Sequence, residues 1–136
     1  MLQSSNDVLI FAQPYIDEFN LFCIQNNLIG KVQADHIGLK CSTHEIYERQ
    51  RMLFEFEGIF VYQSIISKRR ISIIGLRAGL ATKVGELRYL ELSDQKPDGS
   101  QKDCIDHHEI VPTGISYDEL IVSLQKNGVV LKEIVA

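Results

Sequence analysis

The fold of this chain is organised around the stretch Asp-His-Ile-Gly-Leu-Lys-Cys at residues 35–41. Its opening Asp-His pair returns in Asp-His-His-Glu-Ile-Val at residues 106–111, and both stretches are predicted to be short β-strands. Between them, Arg-Tyr-Leu-Glu-Leu-Ser at residues 88–93 is a third strand-like run that carries one carboxylate. Two imidazoles and a carboxylate are a common ligand set for a divalent metal ion, so the sequence predicts a metal site where these strands meet.

Length, composition and charge are typical of one globular domain. The chain has 136 residues and a formal net charge of −4, so it lacks the basic field of a nucleic-acid-binding protein. No apolar run approaches the roughly 20 residues that cross a bilayer, and residues 1–7 contain no basic leader segment. We therefore expect a soluble cytoplasmic protein that binds neither nucleic acid nor membrane.

The three cysteines, Cys23, Cys41 and Cys104, are widely spaced and form no CxxC pair. This pattern favours reduced thiols in a reducing compartment over a disulfide framework. We interpret each cysteine as a small buried apolar residue. A catalytic thiol at Cys41 is the alternative, although no sequence neighbour marks its pKa as lowered.

The chain is predicted to consist of an N-terminal helical arm at residues 1–30 and one domain at residues 31–136, packed as a single compact unit. The apolar residues of the arm recur at helical spacing over residues 5–29. Pro14 is expected to divide or kink this helix, because proline lacks the amide donor that a helix interior needs. The first histidine strand follows at residues 34–41.

A helix is predicted after this strand, with residues 42–43 as its N-cap, a run to Phe56 and an end at Gly58. Four apolar residues make up its predicted buried face: Ile46, Met52, Leu53 and Phe56. Residues 59–67 and 70–76 are rich in β-branched and aromatic residues, so we expect them to pair as a hairpin.

The second half of the chain begins with a predicted loop at residues 79–85 and a strand at residues 86–93. Residues 94–101 combine Pro and Asp-Gly and are interpreted as a polar connection, with a lid over the site as the alternative. The second histidine strand covers residues 105–111, and a capped helix and a strand at residues 129–135 follow it. The predicted order is therefore βαβββ, then βαβ.

Side chains alternate between the two faces of a strand, and this alternation groups the candidate residues. His36, Gly38 and Lys40 share the open face of the first strand, because the apolar residues between them are those that helices would cover. On the middle strand, Glu91 shares its face with Leu87 and Tyr89. We interpret Tyr89 as cleft wall and Lys40 as a solvated lysine at the strand end.

Two adjacent histidines compete for a place in the site on the last strand. His107 shares a face with Glu109, and His108 has the opposite face, so alternation alone does not decide between them. Glu109 is the best candidate for a general base. His44, at the start of a helix, is interpreted as an exposed surface residue, since a protonated imidazole there opposes the helix dipole.

Three stretches that follow a helical arm, taken in order, resemble the YecM-like proteins of the vicinal-oxygen-chelate superfamily, which includes glyoxalase I. They are Ala-Asp-His-Ile-Gly-Leu-Lys-Cys (34–41), Leu-Arg-Tyr-Leu-Glu-Leu (87–92) and Asp-His-His-Glu-Ile-Val (106–111). The resemblance implies an α+β fold in which paired βαβββ modules form a cupped mixed sheet. It also implies a divalent transition metal (Zn, Mn, Fe, Co or Ni) bound by His36, Glu91 and His107.

The sequence departs from this superfamily in its second module, which ends after one strand beyond its helix. The last two strands, where the superfamily usually has its fourth metal ligand, are absent from the predicted order. Either the chain is a fragment, or another chain or solvent completes the site. An unpaired sheet edge tends to pair with a second copy, so we expect a homodimer.

Three functions are consistent with these patterns. The first is a metal-dependent enzyme of the isomerase, lyase, hydrolase or dioxygenase type that acts on a small oxygen-rich, chelating metabolite. The second is a non-catalytic module that binds a small molecule on the same fold. The third is a protein-interaction domain whose histidines bind nothing.

Overall fold

The computed structural model describes residues 4–57 and 60–133. Its helices in these ranges are α1 (Ser5–Gln25), α2 (His44–Phe56) and α3 (Tyr117–Lys126). Its strands are β1 (Val32–Lys40), β2 (Phe60–Ile66), β3 (Arg69–Thr82), β4 (Gly85–Ser93) and β5 (Cys104–Pro112). The predicted helix end at Gly58, the predicted hairpin start at Ile59 and the predicted strand end at residues 134–135 lie outside the described residues.

The strands of the described residues form one open mixed sheet in the order β2-β3-β4-β1-β5. β1 and β4 are parallel, and the other neighbouring pairs are antiparallel. α2 takes the chain from β1 to the far edge at β2, and β3 and β4 return until β4 lies beside β1. This is the predicted βαβββ unit, followed by β5 and α3, and the α+β fold class is confirmed.

The helices and one face of the sheet form the hydrophobic core. Ile37 and Leu39 of β1 and Leu90 and Leu92 of β4 are at most 3% exposed, as alternation along the strands predicts. Apolar side chains of the helices complete this core: Val8, Ala12, Ile16 and Cys23 of α1, Tyr47 and Phe54 of α2, and Leu120 and Leu124 of α3. The opposite face of β1 and β4 is left for polar residues.

α1 runs through Pro14 without interruption, so the predicted division into two helices is wrong. Proline removes one amide donor from a helix, but Ala12 and Ile16, on either side of Pro14, are 0% and 1% exposed. Burial of this apolar stripe holds the helix together across the missing hydrogen bond. Among the described helices, none combines the length and apolar character that crossing a membrane requires.

Two predictions about the second half of the chain are also wrong. The predicted loop at residues 79–85 belongs largely to β3 and β4, which continue on either side of a short turn at Lys83 and Val84. Residues 129–133 form no strand. The hairpin between β2 and β3 is confirmed, and its turn residues Ser67 and Lys68 have φ values of 53° and 64°, as a two-residue hairpin turn requires.

α2 buries only part of the predicted face, since Ile46 packs against the core. Tyr47, Gln50 and Phe54 are buried, whereas Met52 and Phe56 are 59% and 91% exposed. Two of the three buried side chains carry polar groups, and the Tyr47 hydroxyl, which donates a hydrogen bond to Oε1 of Gln63 on β2, keeps a partner when buried.

Candidate metal centre

The centre lies on the open face of the sheet, where β1 runs between β4 and β5. In the β-sheet register, Gly38 lies opposite both Glu91 of β4 and His107 of β5. His36, two residues before Gly38 on the same face, lies opposite Glu109. Strands distant in sequence therefore bring together the two histidines and the carboxylate that the sequence singled out.

One carboxylate oxygen lies between the two imidazoles. Oε2 of Glu91 is 3.2 Å from Nε2 of His36 and 3.7 Å from Nε2 of His107. All three candidate ligand atoms lie within 4.8 Å of one another. Ligand atoms around one tetrahedral zinc ion, each bonded at about 2.0–2.2 Å, are separated by roughly 3.4 Å, so this spacing fits a single small divalent ion.

Nε2 of His36 is a buried polar atom that lacks a well-aligned hydrogen bond to any described residue. His36 itself is only 9% exposed. Besides Glu91, the nearest charged atom is Oε2 of Glu109, at 3.3 Å. A carboxylate only accepts hydrogen bonds, so two of them beside one ring nitrogen require either a proton or a cation at that nitrogen. The donor set thus fits a metal ion.

The charges of the metal-free centre follow from this proximity. Glu91, and to a lesser degree Asp35 and Glu109, raises the pKa of His36 to about 9, against the opposing effect of burial. Glu91 also raises the pKa of His107 above its ordinary value. In return, the imidazoles of His107 and His36 hold the pKa of the Glu91 carboxyl well below its usual range. In the metal-free centre, protonated imidazoles of His36 and His107 therefore stabilise the ionised carboxylate of Glu91.

Gly38 leaves the space that His107 fills. A Cβ atom built on Gly38 would lie 2.3 Å from Cε1 and 2.6 Å from Nδ1 of the His107 ring. These distances are far shorter than a van der Waals contact, so any side chain at this position would displace the imidazole. The sequence placed Gly38 on the correct face but gave it no role.

Two further carboxylates that the sequence analysis did not assign contact the outer nitrogens of the histidines. Oδ2 of Asp35 lies 2.8 Å from Nδ1 of His36, and Oδ2 of Asp106 lies 3.1 Å from Nδ1 of His107. The repetition of the Asp-His pair in the sequence was the feature that could have identified these two aspartates. Lys40 lies 3.5 Å from Asp106 and its side chain is 12% exposed, so its interpretation as a solvated lysine is wrong.

Glu109 lies at the rim of the centre. Its side chain is 57% exposed, and its Oε2 atom lies 3.3 Å from Nε2 of His36. Together with Asp35 and His36 it forms a second group of atoms close enough to share an ion. The structure thus places the predicted base beside the centre, free to rotate toward solvent.

The other histidines lie elsewhere. His108 stacks on Phe19 of α1, with ring centroids 4.3 Å apart and planes 4° from parallel, and burial lowers its pKa. His44 is exposed, as expected, and its Nδ1 lies 2.6 Å from Oδ1 of Asp94. Burial also raises the pKa of the Cys41 thiol to about 12, so a reactive thiolate is not available there.

Comparison with curated proteins gives no match. Among solved structures, the chain is similar to a structural genomics target described as Protein EC4020, with a TM-score of 0.69 and 20% sequence identity. The similarity covers 96% of this chain and 78% of that chain, and at this level of identity it shows a shared fold.

A family model described as YecM protein matches residues 12–133. The matched range contains the whole sheet and α2 and α3, and therefore every residue of the centre. The resemblance to YecM-like proteins is confirmed: the chain belongs to the YecM family.

Proposed function

We propose that this protein binds a divalent transition metal ion through Nε2 of His36, a carboxylate oxygen of Glu91 and Nε2 of His107. The observation that carries the proposal is the buried Nε2 atom of His36, which faces two carboxylates with no aligned hydrogen bond among the described residues. Mixed imidazole and carboxylate ligands suit Zn²⁺, Mn²⁺, Fe²⁺, Co²⁺ or Ni²⁺. Such an ion would supply Lewis-acid activation of an oxygen-bearing molecule.

Three protein ligands leave room for a small oxygen-rich molecule, as in catalytic rather than structural metal sites. A cleft of about 400 Å³ adjoins the centre and supports this part of the proposal. Polar and apolar surface line it about equally, from Gln33, Ala34, Asp35, Glu86, Arg88 and Tyr89. Asp35 contacts His36, and Tyr89 lies opposite His36 in the sheet, so a molecule in this cleft would lie beside residues that flank the first proposed ligand.

On this proposal the protein is a metal-dependent enzyme of the vicinal-oxygen-chelate type, and Glu109 is its proton acceptor. Glu109 suits this role because it is exposed and lies 3.3 Å from His36, at the edge of the metal position. Replacing Glu109 with Gln should therefore abolish turnover of a chelating substrate while metal is retained. Loss of the metal in this variant would assign Glu109 as a ligand instead.

The non-catalytic alternative uses the same centre and differs only in the absence of turnover. A homodimer is proposed because β5 is an edge strand, whose outer backbone groups have no strand partner in the described sheet. Sedimentation of the purified protein tests this: a species of twice the chain mass supports a dimer, and a monomer at high protein concentration contradicts it.

The metal proposal is tested by zinc affinity, measured by competition with a chromophoric chelator on protein purified without a His-tag. The double variant His36→Ala, His107→Ala should bind no zinc and should keep its circular dichroism spectrum. His44→Ala, which removes an exposed histidine outside the centre, is the matched control and should bind zinc like the wild type. Zinc binding by the double variant at wild-type affinity would rule out the proposed ligands.

A further inference from the structure

We infer that Asp35 and Asp106 are positioning residues, each placed by a β-bulge so that its carboxylate fixes the ring of the histidine that follows it. The inference deepens the proposed metal site, and its effect on metal affinity rests on that proposal. It explains why an Asp-His pair occurs in both β1 and β5.

Neighbouring residues in a regular strand point to opposite faces, so an aspartate would normally point away from the histidine that follows it. In both pairs the aspartate instead contacts Nδ1 of its own neighbour, at 2.8 Å for Asp35 and 3.1 Å for Asp106. Something must therefore break the alternation at both places.

The register between β1 and β5 shows the cause. Ala34 pairs with Ile110 and His36 with Glu109, so Asp35 is an extra residue on β1 with no partner on β5. The pairing of these two strands then shifts a second time, in the opposite sense.

At the second shift, Gly38 pairs with His107 and Leu39 with Ile105, so Asp106 is the extra residue on β5. Each of the two bulges thus inserts the aspartate that precedes a site histidine. Bulges commonly redirect side chains next to functional sites, and here the same device serves both histidines.

The consequence for the imidazoles is a fixed tautomer. A carboxylate accepts the Nδ1 proton, so each neutral ring carries its hydrogen on Nδ1 and presents the Nε2 lone pair to the centre. For His36 this is the only well-aligned hydrogen bond that either ring nitrogen makes within the described residues. Carboxylates in this position orient metal-binding histidines and make them more basic, and their loss typically weakens metal binding by about 10- to 100-fold.

The two pairs differ in their surroundings. Nζ of Lys40 lies 3.5 Å from Oδ2 of Asp106, whereas no lysine or arginine of the described residues forms an ion pair with Asp35. We therefore expect Asp35→Asn to weaken zinc binding more than Asp106→Asn. Asparagine keeps the size of the side chain but removes its charge, so both variants should fold.

The test combines zinc affinity with nitrogen NMR of the histidine rings. Asp35→Asn and Asp106→Asn should each weaken zinc binding about 10- to 100-fold. Asp98→Asn, in an exposed loop, is the matched control for the lost charge and should have no effect. In metal-free wild-type protein at pH 10, above the pKa of His36, both rings should carry their proton on Nδ1. The Asn variants should shift toward the Nε2 tautomer.

Unchanged zinc affinity in both Asn variants, or Nε2 protonation of His36 and His107 in the wild type at pH 10, would overturn the inference. If the wild type binds no zinc, the proposed metal function fails on its own. The tautomers of the metal-free protein then still decide whether the aspartates orient these rings.

Discussion

Gly38 and His107 are complementary: the imidazole of His107 occupies the space where a side chain on Gly38 would be, 2.3 Å from the position of its Cβ atom. Gly38→Ala should displace the ring and weaken zinc binding by at least about 100-fold, the upper end of what losing a supporting residue costs. Chelator competition measures this loss. The control is Gly79→Ala, whose Cβ would meet the flexible Glu86 side chain at 3.0 Å.

A double variant distinguishes a clash with the His107 ring from general misfolding of Gly38→Ala. When His107→Ala removes the ring, a methyl group at position 38 has room, so Gly38→Ala should cost less stability in that background than in the wild type. Chemical denaturation of the four proteins provides the comparison. Equal costs in both backgrounds would mean that the ring does not occupy this space.

The adjacent histidines His107 and His108 should respond differently to substitution. His107→Ala should lose zinc, because its Nε2 lies beside Glu91. His108→Phe should retain zinc, because His108 stacks on Phe19 and phenylalanine preserves that stacking. Isothermal titration with zinc distinguishes the two variants, and loss of binding in His108→Phe alone would reverse the assignment.

Metal affinity should rise with pH. In the metal-free protein the pKa of His36 is about 9, so at neutral pH a metal ion must displace the proton on this ring. Apparent zinc affinity should increase about tenfold per pH unit for each proton displaced, and should level off above about pH 9. An affinity that does not change between pH 7 and 9 would show that His36 is not a ligand.

The stability of the metal-free protein should fall over the same range. The pKa of His36 is raised in the folded state, so protonation of His36 adds to the free energy of unfolding. This contribution is complete below the unfolded-state pKa of about 6.5 and is lost as the pH rises through about 9. Glu91→Gln should lower the pKa of His36 and flatten this decline. Titration of the His36 ring by NMR, with urea denaturation at each pH, measures both effects.

Alternation along β1 predicted its two faces correctly, but it failed on β4 at Leu87, which is 0% exposed and belongs to the core. It placed Ile37 and Leu39 in the core and His36 and Gly38 on the open face. It succeeded because each face has one kind of environment, apolar beneath the helices and polar above. Resemblance to the YecM family then selected His107 over His108, which alternation alone left undecided.

Features that break the alternation were not predictable in the same way. The bulges at Asp35 and Asp106 exist only in the pairing of β1 with β5, which the local sequence of either strand does not encode. On α2, the buried residues Tyr47 and Gln50 carry polar groups, so the spacing of apolar residues alone does not mark them. Tertiary contacts decided these positions.

The proposed metal centre depends most directly on Glu91, the only carboxylate that lies beside both imidazoles within the described part of the chain. Elemental analysis after loading with Zn²⁺, Mn²⁺ or Ni²⁺ and removal of free ions measures metal per chain for the wild type and for Glu91→Ala. The proposed centre should hold about one ion per wild-type chain and none in the variant. A wild type that retains no ion, or a variant that retains a full one, would contradict it.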